Sequence, residues 1–176
     1  MAIAQYNLGA SYYDGGGVPK DLKGAVRYYR LAADQGNADA QCNLGMCYAN
    51  GSTGVPKDPK EAVRYYRLAA DQGLAIAQNI LGASYYYGCG VPKDLKEAVR
   101  YYRLAADQGN ADAQFNLGVS YYKGCGVPKD PKEAVRYYRL AADQGHANRL
   151  NSISVCVMIM VTGFRKIQKK LFGIFG

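Results

Sequence analysis

Three groups of residues in this chain have types and spacings that chemistry can use. The loop GGGVPKD at residues 15–21 leads into a predicted helix. Glycine-rich backbone at a helix N-terminus can cradle a phosphate, with Lys20 supplying charge. His146 follows Asp143 closely in the chain, as a general base follows an orienting carboxylate. Seventeen tyrosines stand among lysines and arginines, a combination that stacks the bases of single-stranded nucleic acid on some surfaces. Five cysteines, Cys42, Cys47, Cys89, Cys125 and Cys156, are the remaining nucleophiles of note.

The surroundings of each group point to structure instead. The loop lacks the GK[ST] ending of a phosphate cradle, and Asp21 holds the N-cap where an anion would sit. Its VPKD core recurs at Val18, Val55, Val91 and Val127, as a turn between paired helices does and a catalytic loop does not. Asp143 is the fourth copy of Asp34, Asp71 and Asp107, none of which has a histidine beside it, so His146 reads as an ordinary loop residue. Tyr28 and Tyr29 are expected on the helix face opposite Lys23, Arg27 and Arg30, and the interleaved acids would repel phosphate. A nucleic-acid partner is therefore not expected. The cysteines are odd in number and follow no metal-ligand spacing, which suits free thiols in a reducing compartment. Cys89 and Cys125 occupy equivalent loop positions, and stacking would hold them roughly 10 Å apart, too far for a disulfide. No metal, cofactor or catalytic constellation emerges, and enzymatic activity is not expected.

Charge divides unevenly. All 14 acidic residues and 17 of the 22 basic ones precede residue 149. The net charge of +8 therefore belongs mainly to the C-terminal tail. The opening MAIAQYNLG already reads as repeat sequence. It has neither the basic nor the long apolar stretch of a signal peptide, and the expectation is a cytoplasmic protein.

The elements that must position these residues are written several times over. VPKDLKEAVRYYRLAADQG at residues 91–109 has near copies in the other repeats, alternating with an AQxNLGxxYY phrase. Gln5, Gln41, Gln78 and Gln114 lie 36, 37 and 36 residues apart, the extra residue falling in the loop GSTGVPK. A period of that length is the signature of a solenoid. At 176 residues the chain suits one elongated domain. Its units are residues 1–36, 37–73, 74–109 and 110–148, followed by a diverged tail at 149–176.

Each unit predicts two helices. In the first, near residues 4–13, Ala4, Leu8 and Tyr12 share a face, and Gly9 lets a neighbouring helix approach. In the second, Asp94 is the N-cap, Glu97 the other half of a capping box, and Gly109 the stop. Pro59 and Pro131 fall at the first helical position. Ala98, Tyr101, Tyr102 and Ala105 face inward, while Lys96, Arg100, Arg103 and Asp107 face solvent. Gly24 stands where the other copies have Glu61, Glu97 and Glu133, and costs the first copy its capping box.

Residues 1 to about 148 resemble the Sel-one-like repeat family, relatives of the tetratricopeptide repeats. The resemblance rests on Ala4, Gln5, Leu8, Gly9 and Tyr12, on the GxGV loop (Gly88, Gly90, Val91), on Asp94 and Ala98, and on Ala105, Ala106, Gln108 and Gly109. Tyr28, Tyr65, Tyr101 and Tyr137 replace a tryptophan common in the family, and Ile80 replaces the asparagine of Asn7, Asn43 and Asn116. The family implies an all-α, right-handed superhelical solenoid of four helix-turn-helix repeats with a C-terminal cap. It also implies a non-enzymatic scaffold or adaptor that binds a protein or peptide. Some cysteine-rich secreted members are associated with β-lactam binding or hydrolysis, but those carry a cysteine pair in every repeat, and this chain does not.

The second helices are nearly identical, while the first helices differ at four positions. These are Tyr6/Cys42/Asn79/Phe115, Ala10/Met46/Ala83/Val119, Tyr13/Ala49/Tyr86/Tyr122 and Asp14/Asn50/Tyr87/Lys123. Their spacing places them on one helical face. In the tetratricopeptide-like family the corresponding face lines a concave, peptide-holding groove, and these residues are the expected partner-binding set. In the tail, the apolar run at residues 153–161 is too short to span a bilayer. A capping helix is expected there. Phe164, Ile167, Leu171 and Phe175 oppose Arg165, Lys166, Lys169 and Lys170, a pattern that would also suit an anionic membrane surface.

Overall fold

The computed structural model describes residues 1–51 and 54–144. His146, Cys156, the expected cap and the basic amphipathic pattern of the tail lie outside the described residues. The described chain forms eight α-helices of 13 residues each: α1 (Ala2–Asp14), α2 (Leu22–Asp34), α3 (Ala38–Asn50), α4 (Pro59–Asp71), α5 (Ala75–Tyr87), α6 (Leu95–Asp107), α7 (Ala111–Lys123) and α8 (Pro131–Asp143). The main packing partners of every helix are its neighbours in sequence. That one-dimensional pattern is an all-α solenoid.

Local chemistry fixes the helix ends. The Asp94 carboxylate accepts hydrogen bonds from the Lys96 and Glu97 amides at 2.9 and 3.1 Å, and Asp58 and Asp130 do the same for their helices. These satisfy donors that a helix start otherwise leaves open. The returning half of the expected capping box is not made. The Asp94 amide donates instead to the Tyr85 carbonyl of the first helix, at 3.0 Å. Glu97, freed from that duty, pairs with Arg100 at 2.9 Å. At the other end, the Gly109 amide reaches Ala106 O at 2.9 Å and the Asn110 amide reaches Ala105 O at 3.0 Å. This is the paired closure of a helix ending in a left-handed glycine.

Two glycine positions set the packing distances. A Cβ on Gly82 would lie 2.7 Å from the Tyr102 ring and 3.1 Å from the Ala98 carbonyl oxygen, so α5 and α6 close on each other only because it is absent. Gly90, at φ +76°, lies so near Pro59 that a Cβ there would fall 2.1 Å from its carbonyl oxygen. The loop of one repeat thus rests on the start of the previous repeat's second helix. Leu44, Leu81 and Leu117 are fully buried at the repeat centres among the alanines and tyrosines of the second helices.

Polar side chains stitch the repeats in register. Gln78, buried, accepts from Gln108 of its own repeat at 2.7 Å and donates to the Ala70 carbonyl of the preceding repeat at 3.2 Å. Gln41 and Gln114 repeat both bonds, and Gln35 donates to Gln5. Tyr48, Tyr85 and Tyr121 stack on Tyr65, Tyr101 and Tyr137 at 5.7 Å. Their hydroxyls accept from Arg30, Arg67 and Arg103 of the repeat before.

Candidate partner-binding surface

The variable first-helix positions are not equally available. Tyr87 is 71% exposed, Tyr13 40%, Met46 38% and Tyr122 38%. Asp14, Asn50 and Lys123 are exposed beside them, while Ala10, Ala49, Ala83, Tyr86 and Val119 are half-buried. Cys42 is a correction to the expected set: only 3% exposed, it belongs to the core with Ala62 and Tyr66. Burial of its small side chain, reinforced by the charge of Asp39, pushes the thiol up to about 11. Two of the other residues at that position share its direction, and the third turns to the next repeat. Tyr6 packs against Tyr29 at 6.0 Å between ring centroids and Phe115 against Tyr138 at 5.5 Å, and Asn79 accepts a 3.0 Å bond from Asn116. Tyr6, Cys42 and Phe115 thus face the second helix of their own repeat and Asn79 the first helix of the next, while the exposed members of the set all belong to the other three columns.

The first two repeats enclose a hollow of about 280 Å³ between α1 and α3. Its wall includes Tyr6, Ala10, Tyr13, Asp14, Met46 and Asn50, so six of the expected residues converge on one recess. Lysines of the inter-helix loops stand over the tyrosines of this side. Lys20 Nζ lies 5.6 Å from the Tyr13 ring centroid, and Lys93 and Lys129 lie 5.9 Å from those of Tyr86 and Tyr122. Such contacts hold a cation over the electron-rich face of a ring.

The remaining chemistry resolves into structure. The N-cap Asp21 occupies the helix terminus that a phosphate would need, accepting from the Lys23 amide at 3.0 Å. Tyr65, Tyr101 and Tyr137 are no more than 9% exposed. Each is stacked on one tyrosine and overlain by its neighbouring arginine, Arg64, Arg100 or Arg136, at 4.2, 4.1 and 5.2 Å. These arginines do not lie opposite the tyrosines, as the helical wheel suggests; they fold back over them and leave no ring face for a base. Cys42, Cys89 and Cys125 are free thiols, and among the described residues no group of His, Cys, Asp or Glu is arranged to hold a metal. No helix among them is long and apolar enough to cross a membrane.

Solved structures with this arrangement come from several bacteria. A protective antigen present in uropathogenic Escherichia coli strains, described as displaying an SLR fold, is 42% identical over 87% of the chain, with a TM-score of 0.80. A Sel1 repeat protein from Oxalobacter formigenes is 38% identical over 88%, at 0.81. The chain spans only 32% and 61% of the lengths of those two proteins. Cysteine rich protein B of Helicobacter pylori is 29% identical over 78% of this chain and 98% of its own, at 0.56. Sel1 repeat proteins are typically protein-interaction scaffolds. The Sel1 repeat is matched over residues 2–37, 38–74, 75–110 and 111–146. With four consecutive matches and the helix pairs that carry them, the chain belongs to the Sel1 repeat family.

Proposed function

We propose that this chain is a non-enzymatic adaptor that holds an extended segment of a partner protein along its first helices. The observation that supports this most is the exposure of Tyr13, Met46, Tyr87 and Tyr122, all at variable positions of the first helices. The second helices, by contrast, put arginine, lysine and a recurring leucine outward with almost no variation between copies. Large apolar side chains gathered on one variable face are what an interface core needs.

The test uses a photoreactive phenylalanine analogue placed at Met46 or, as control, at Arg100 on the outer stripe. The partner should crosslink through the first site and not the second. Met46→Ala and Tyr87→Ala should then weaken binding by about 1–2 kcal/mol in at least one case. Their melting temperatures should stay close to the parent's, because solvent-facing substitutions shift stability by only about 0.5 kcal/mol. Tyr101→Ala should destabilise the fold by about 3 kcal/mol and affect binding only through unfolding. Loss of binding in Arg100→Glu with Arg103→Glu, with the first-helix variants unaffected, would place the interface on the opposite face.

A further inference from the structure

The second repeat lacks a tyrosine that the other three carry near the end of the first helix, and its absence leaves a hole. In the third repeat Tyr86 crosses from α5 to the next loop, where its hydroxyl donates to Cys125 Sγ at 3.9 Å. Lys93 stands over the ring at 5.9 Å, and Tyr102 is close enough to feel the Tyr86 hydroxyl. Moved back by one repeat, these four residues become Ala49, Cys89, Lys57 and Tyr66. All four line a single hollow of about 430 Å³, floored by Ala62 and Val63. Cys89 and Lys57 are exposed at its mouth. Three copies of this seat hold a phenol ring with an ammonium group above it, at Tyr13 with Lys20, Tyr86 with Lys93 and Tyr122 with Lys129. The second keeps the walls and the lysine but has lost the ring, because alanine stands where the others have tyrosine.

We propose that this hollow is a binding site for an aromatic side chain of the partner, flanked in the partner's own sequence by acidic residues that pair with Lys57. The repeat itself supplies the template for the occupant, a planar ring on apolar walls beneath a cation. The size suits it, since small-ligand sites run from about 300 to 1,000 Å³. Charge selects the flanking residues. Asp58, the neighbour of Lys57, turns its carboxylate to the Lys60 and Glu61 amides at 3.0 and 3.1 Å. The lysine is therefore left to an incoming anion. This inference rests on the reading that a partner segment runs along the first helices, and it names one anchor of that segment.

Fluorescein-labelled heptapeptides centred on Asp-Phe-Asp, Asp-Ala-Asp or Lys-Phe-Lys, titrated by fluorescence polarisation, are the probes. The Asp-Phe-Asp peptide should bind at least about tenfold more tightly than either of the others, a gap that one ring and one ion pair can supply. Ala49→Tyr refills the seat from within, as the other repeats do. It should abolish that preference without lowering the melting temperature. Lys57→Glu should reverse the choice between the acidic and basic peptides. A readout that needs no variant is the alkylation rate of Cys89, which the Asp-Phe-Asp peptide should slow while the Asp-Ala-Asp peptide does not. Equal binding of the Phe and Ala peptides, or unchanged Cys89 alkylation, would overturn the proposal. If the native partner loses affinity with Met46→Ala but is indifferent to Ala49→Tyr, the first-helix interface stands and this anchor falls.

Discussion

Tyr29 and Cys42 show how far packing alone alters single side chains here. Burial, reinforced by Tyr6 and Cys47, pushes the Tyr29 phenol up to about 12 from an ordinary 10.0, and the Cys42 thiol rises from 9.0 to about 11. Tyr66 and Tyr102 are shifted in the same direction, with burial again the largest cause. For these acids the raised value means that the fold favours the protonated form. Their contribution to stability is therefore complete below the unfolded-state values and is lost as pH rises. The melting temperature should start to fall above about pH 9, where the Cys42 equivalent in the unfolded chain ionises, and drop more steeply above about pH 10 as the tyrosines join. Circular dichroism melts from pH 7 to 11 check this, and a flat profile up to pH 11 would contradict it. Cys42→Ala should remove the first part of the decline and keep the second. The same burial orders thiol reactivity, which follows access to the thiolate. In the native protein Cys89 should be alkylated well before Cys42 and Cys47, which are each 3% exposed.

At the level of elements, the starts of α4, α6 and α8 are each held by an aspartate and not by the glutamate after it. Asp94→Ala removes a cap that serves two backbone amides. It should cost about 1 kcal/mol in urea denaturation. Glu97→Ala breaks only an exposed pair with Arg100 and should cost about 0.3–0.5 kcal/mol. If the two losses were equal, the glutamate would be taking part in the cap after all. Gly82→Ala should be the costlier change, about 1–3 kcal/mol, because its Cβ drives into the Tyr102 ring and the Ala98 carbonyl. The sequence made these helices legible because Asp94, Gly109 and the Ala98/Tyr102 face are local signals repeated four times. The period marked by Gln5, Gln41, Gln78 and Gln114 was plain in the same way, but their bonds were not. Which amide faces the Ala70 carbonyl, or whether the Asp94 amide meets Glu97 or the Tyr85 carbonyl, depends on atoms brought in by another helix. The candidate surface was legible to the same limit. Helical spacing grouped the variable residues into four columns, yet could not tell that Cys42 is buried against the second helix of its repeat, because that depends on the tilt between paired helices.

Across the whole molecule, stability adds up along the array, with each junction contributing to its two neighbours and none beyond them. Three described junctions repeat the same bonds: Arg30, Arg67 and Arg103 to the next tyrosine, and Gln41, Gln78 and Gln114 to the previous carbonyl. The outer side of α8 is the exception. Val135 and Ala142 are half-buried, whereas Val63, Val99, Ala70 and Ala106 at the same positions are no more than 6% exposed. An apolar end of this kind calls for cover in a solenoid. We propose that residues 149–176 provide it. Deleting them should lower the melting temperature by about 5 °C or cause concentration-dependent aggregation through the bared end, since about 1–2 kcal/mol of lost junction is a shift of that size in a domain this long. Val135→Lys in the full chain should lower it in the same direction, and combining the two changes should add little, because both act on one interface. A truncated chain that stays monomeric with an unchanged melting curve would remove the cap. Salt-sensitive flotation of the full chain with anionic vesicles, lost on exchanging Lys166, Lys169 and Lys170 for glutamate, would then assign the tail to a membrane surface instead.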